Sequence, residues 1–111
     1  MKQHGHLKRL YGSYRTKYFG SSIPEPENAK VSWDASINQD LLGDAEVQVV
    51  DGKSVACIRL NPLIRPFRSL YKMVLLHEMA HIKLWPWCHH GKKFDAEMLR
   101  LAAEGALKGL W

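Results

Sequence analysis

A chain of 111 residues, 46% of them hydrophobic and 24% charged, is enough for one globular domain with one core and leaves little room for a second. Sixteen Lys and Arg against 11 Asp and Glu give a formal charge of +5, which suits contact with nucleic acid and equally a plain soluble surface. Two cysteines, Cys57 and Cys88, exclude a disulfide scaffold and a four-cysteine zinc ribbon. The opening Met1–His6 lacks the apolar stretch of a signal peptide and no apolar run reaches membrane-spanning length, so a cytoplasmic protein without membrane contact is expected.

Leu7, Leu10, Tyr11, Tyr14 and Tyr18 recur at helical spacing between Lys8, Arg9, Arg15 and Lys17, predicting an amphipathic first helix that stops at Gly20. His4 and His6 fall at its frayed start and are expected to take no part in the site. Two prolines make residues 23–28 an extended linker. Ala29, Val31 and Trp33 alternate with polar neighbours as a short strand does, with Trp33 assigned to the core. Residues 44–50 and 54–60 read as a β-hairpin around Asp51-Gly52, with Cys57 as a small buried strand residue. After Asn61-Pro62 and Arg65-Pro66, the strongest helical pattern runs from about Ser69 to Trp85. Its stripe is Leu70, Met73, Val74, His77, Ala80, His81 and Leu84, and Pro86 ends it. A loop through Trp87, Cys88, His89, His90 and Gly91 leads to a last helix from about Lys92, with Phe94, Met98, Leu101 and Ala102 inward. The order of helix, strands, helix and helix describes a compact α+β domain over 1–111, with a small antiparallel or mixed sheet.

The chemistry concentrates in His77-Glu78-Met79-Ala80-His81, an H-E-x-x-H motif on the long helix. Residues four apart differ by about 40° around a helix, so the two imidazoles can meet one metal ion from the same face. Glu78, one step round, can then act on water without becoming a ligand. Histidine is a poor core filler, and one zinc ion would satisfy both rings. A catalytic zinc site needs a third protein ligand and an open position. The metzincin extension would require glycine at 84 and histidine at 87, where Leu84 and Trp87 stand. Glu97 or Glu104 from the following helix are alternatives. His90, preceding Gly91 at the loop-to-helix junction, is favoured, with His89 beside it still open. Trp85 and Trp87 are expected to cover the site or line a substrate cleft.

Tyr14-Arg15-Thr16-Lys17-Tyr18-Phe19-Gly20 with Ile23-Pro24, Val31-Ser32-Trp33, Ile58-Arg59-Leu60-Asn61-Pro62, the H-E-x-x-H segment and His90-Gly91-Lys92-Lys93-Phe94 together resemble SprT-like domains, found in bacterial SprT proteins and Spartan proteases. The resemblance covers most of the chain. It implies a zincin-like fold, a protein or peptide substrate lying extended beside the sheet edge, and His90 as third zinc ligand. Many such proteins continue into a cysteine-rich zinc ribbon or a DNA-binding extension; this sequence ends at Trp111 with neither, as a bare protease core would. The expected reaction is peptide hydrolysis, with zinc on His77, His81 and His90 and with Glu78 as general base. Tyr71 and Arg68 lie near the motif, and nothing in the sequence assigns either as a second oxyanion donor. A reading from another class is a nucleic-acid-binding module with a structural zinc. Its phosphate contacts would come from Lys8, Arg9, Arg15, Lys17, Arg65, Arg68, Lys72, Lys92 and Lys93, and Cys88 would be the fourth ligand that closes the metal site.

Overall fold

Alternating burial along one strand organises the molecule. In a computed structural model describing residues 5–86 and 90–110, β3 (Lys53–Leu60) turns Ala56, Ile58 and Leu60 fully inward and leaves Val55, Cys57 and Arg59 half-exposed on the other face. Cys57 is therefore not the buried residue expected, because the strand's period of two sends it to the wetter face.

β3 is the central strand of a mixed sheet of order β1-β3-β2. β1 (Ala29–Trp33) pairs parallel to it, Ala29 opposite Ala56 and Trp33 opposite Leu60. β2 (Gly43–Val50) pairs antiparallel, Gly43 opposite Leu60 and Val50 opposite Lys53. The hairpin turn holds Asp51 at φ 52° and Gly52 at φ 78°, the two left-handed residues that a tight turn matching the strand twist demands.

The helices cover one face of this sheet. α1 (Gly5–Tyr14) buries Leu7, Tyr11 and Tyr14 and packs beside β1. The expected single helix to Gly20 instead continues as a π-helical turn over Arg15–Phe19, and Gly20 closes that turn at φ 57° with its N–H on the Arg15 carbonyl. A 3-10 turn at Pro26–Asn28 interrupts the expected extended linker. α2 (Arg68–Lys83) lies across β2 and β3, and α3 (Lys92–Ala103) packs against α2.

α2 is buried on more of its circumference than the apolar stripe predicts. Tyr71, Val74, Leu75, Leu76, Met79 and Ile82 enter the core, while Leu70 is exposed and Met73, His77, His81 and Leu84 are half-buried. The stripe carrying the histidines is a cleft wall rather than the main core face. α3 buries Phe94, Glu97 and Leu101. Ala102 is exposed, a second departure, and Ala106 and Leu107 beyond the helix enter the core. Trp33 is half-buried at the core's edge, its ring edge-on to Tyr71 at 5.3 Å with the Arg65 guanidinium 5.6 Å above it. No helix among the described residues is long and apolar enough to cross a membrane.

Candidate metal centre

Three imidazoles meet at one point. His77 and His81, one turn apart on α2, bring their Nε2 atoms to 3.2 Å, and His90, just before α3, places its own Nε2 at 3.0 Å from that of His81. The three ligand atoms all lie within 4.8 Å of one another. A neutral ring nitrogen carries either one hydrogen or one lone pair in its plane. The Nε2 of His81 therefore cannot make good hydrogen bonds to both neighbours, whereas one cation accepts all three lone pairs.

The donor set fits zinc. Imidazole nitrogens on a tetrahedral zinc at 2.0–2.1 Å stand about 3.3 Å apart, close to the two separations from His81, 3.0 and 3.2 Å, within a set whose atoms all lie within 4.8 Å of one another. Burial first, and then the neighbouring imidazoles, pull His77 down to about 4. The same effects, burial first and then His90, lower His81. Rings so shifted are neutral at pH 7, the form that binds a metal.

Phe94 anchors this arrangement. Its buried ring stacks on His81 at 4.6 Å, meets His77 edge-on at 4.8 Å and tilts against His90 at 4.7 Å. The junction that delivers His90 is tied to α2 by Glu97, whose buried carboxylate accepts from Lys83 Nζ at 2.7 Å and from Arg100 Nη2 at 2.5 Å. Arg100 also reaches Glu104 at 2.6 Å. Glu97 and Glu104, the alternative third ligands, are thus committed to cations and lie outside the imidazole cluster. Burial works to raise the Glu97 carboxyl, but the Arg100 and Lys83 hydrogen bonds and charges outweigh it and hold Glu97 below its usual range.

Glu78, 6% exposed, lines the cleft next to His77. Burial, and secondarily the charge of Asp44, push its carboxyl up to about 8; a cation held beside it would draw that value down. Around these side chains runs a cleft in two parts that share Leu41, Gly43, His77 and Glu78. The part over the imidazoles, about 240 Å³, also meets Asp44, Ala45, His81, Trp85 and His90. Trp85 is thus a wall of the site, as expected of it. Trp87, Cys88 and His89 lie outside the described residues, as does His4.

His6, expected to be uninvolved, sits within α1 with its Nε2 3.1 Å from the Tyr71 hydroxyl. Tyr71 is buried in that contact, Arg68 is exposed at the start of α2, and among the described residues neither lines the cleft.

The rim opposite α2 was not anticipated as part of the site. A Cβ at Gly43 would stand 2.8 Å from Val74 Cγ1 and 3.1 Å from the Arg59 carbonyl oxygen, so glycine alone lets β2 approach the motif helix this closely. Buried Asn61 fixes the segment before it, donating from Nδ2 to the Leu41 carbonyl at 3.1 Å and from its backbone N–H to the Leu42 carbonyl at 2.9 Å. The glycine heading the β2 alternation was the available signal for this close approach.

Two imidazoles of a helix laid across a small mixed sheet, joined by a third from the connection to α3 and set beside a buried carboxylate, form a group that could hold a metal ion. The SprT-like family model matches residues 7–108, nearly the whole chain, and the chain belongs to that family. No curated protein and no solved structure matches it. Family membership points to a protease-like domain.

Proposed function

We propose that this protein is a zinc-dependent endopeptidase in which His77, His81 and His90 hold the metal and Glu78 is the general base. The observation that carries the reading is the convergence of three imidazole nitrogens within 4.8 Å, with Glu78 buried in the same cleft wall. Zinc bound there would polarise the scissile carbonyl and make water a usable nucleophile near neutral pH.

Glu78 takes a proton from the attacking water, whose oxygen bonds to the carbonyl carbon. As the C–N bond breaks, Glu78 returns that proton to the departing amine, leaving a carboxylic acid and an amine, which at neutral pH exchange a proton to become carboxylate and ammonium. Its burial favours holding the proton between these two steps. β2 is an edge strand, and its first residues Gly43, Asp44 and Ala45 border the imidazoles. An extended substrate added to that edge gains main-chain hydrogen bonds and presents its peptide bond to Glu78.

Substitution Glu78→Gln tests the assignment. Zinc content should stay at the wild-type value while cleavage of an unfolded protein falls by about 10²–10⁴-fold. Cleavage at the wild-type rate would refute it.

We extend the reading to DNA-associated protein substrates. Support comes from the formal charge of +5 and from exposed cations at Lys8, Arg9, Lys17, Arg65, Arg68 and Lys92. Binding to single-stranded or duplex DNA that weakens steeply with added salt is the expected signature.

A further inference from the structure

The cleft continues past Glu78 into a chamber of a different character. On the side away from His81, His90 and Trp85, about 420 Å³ is walled by Leu41, Leu42, Leu70, Met73, Met98 and Leu107. Leu41, Leu42 and Leu70 are 41%, 48% and 36% exposed, so large apolar side chains border this chamber at the expense of contact with water. His77 and Glu78 form the boundary between it and the imidazole part. Asp40, exposed at the rim, is the other charged residue lining it.

Resting on the peptidase reading, we infer that this chamber receives the substrate side chain immediately carboxy-terminal to the scissile bond and selects a large apolar one such as Leu, Met or Phe. The position follows from the path of the proton. Glu78 must reach the departing nitrogen, and that nitrogen belongs to the residue after the cut. The side chain of that residue therefore leaves the reaction centre on the side of Glu78, where the apolar chamber opens, rather than on the side of His81 and His90.

The chemical preference follows from the lining. The chamber has room for any single side chain, so none is excluded by bulk and the larger apolar ones gain most by the surface they bury. An apolar side chain sheds hydrated surface on entry and covers the three exposed leucines. A carboxylate would lose its water against them and meet the charge of Asp40. A hydroxyl or amide would find few partners among leucine and methionine.

The experiment is a cut-site profile of the zinc-loaded protein on an unfolded substrate, read by mass spectrometry. Leu, Met, Phe and Ile should be enriched at the residue after the cut. Matched peptides bearing Leu or Ser there should differ by about tenfold or more in kcat/KM. Leu70→Lys should erase the preference and admit Glu or Asp. Cleavage without apolar enrichment at that residue, or with enrichment only at the residue before the cut, would overturn the chamber assignment and leave the peptidase reading standing. Absence of all cleavage would instead strike the peptidase reading. The chamber is then read directly by titrating acetyl-leucine amide or acetyl-serine amide into protein carrying ¹³C-methyl methionine. The leucine compound alone should shift the Met73 and Met98 methyls, with buried Met79 as the unmoved control. Equal responses to both compounds, or none, would overturn the proposal whatever the activity.

Discussion

The two regions that contribute histidines are held in different ways. α2 supplies His77 and His81 from a helix whose Leu75, Leu76, Met79 and Ala80 have no exposed surface, so the spacing of its two rings is set by the helix and the core beneath it. His90 is exposed, and it comes from the connection to α3, a helix tied to α2 through Phe94 and the Lys83–Glu97–Arg100 group. One part of the centre is local geometry on a rigid support; the other is a docking problem solved by one aromatic ring and one buried carboxylate. Strain or loss of order should therefore reach the metal through the α3 side first.

The largest break in this comparison is His90→Ala. Removing one of three ligands should cost well over 100-fold in zinc affinity, beyond the 10–100-fold typical of the outer partners of a metal site. Chelator competition measures it, and affinity within a few-fold of wild type would remove His90 from the ligand set. Circular dichroism should show the fold retained, since His90 is exposed.

Phe94→Ala comes next. Emptying a buried phenylalanine site costs about 3–5 kcal/mol of stability, and here it also frees three imidazoles from their common support. Zinc affinity of the folded fraction should fall by about 10–100-fold, whereas Phe94→Leu, which keeps most of the volume, should recover much of both. A Phe94→Ala protein with lowered stability but unchanged zinc affinity would reduce the ring to core filler.

Glu97→Gln is the smallest and sharpens the contrast by pH. It should cost about 1–3 kcal/mol at pH 7, less than a fully buried pair because Lys83 and Arg100 are partly exposed. The folded carboxyl lies below its unfolded value near 4.3. Its contribution is therefore complete above that value and disappears as pH falls through the folded pKa. Denaturation midpoints of wild type and Glu97→Gln should differ at pH 7 and draw together as the pH is lowered below the unfolded value; a gap that stays constant throughout that descent would assign the effect to packing instead.

Much of the fold was legible because its signals are local. The β1 range, the Asp51-Gly52 hairpin and the motif helix follow from side-chain period and turn chemistry, and they appear within a few residues of the expected bounds. What misled was the assumption that an apolar stripe must be core. Leu70, Met73 and His77 share a face with Val74, yet that face borders a cleft that it lines together with Asp40, Leu41, Leu42 and Gly43. Likewise Ala102 has the right period to be buried, but the chain after α3 folds back to place Ala106 and Leu107 in the core instead.

By itself the sequence determined that a helix would hold two histidines one turn apart with a glutamate between them, because that spacing is a property of the helix and needs no partner. Which residue would complete the trio was an open choice among His89, His90, Glu97 and Glu104 on spacing alone. The tertiary structure brings His90 into the cluster, since a contact between α2 and the start of α3 depends on how Phe94 and Glu97 pack rather than on any period in the chain. The same holds for the apolar chamber, whose walls come from four separate stretches of sequence that only folding makes neighbours.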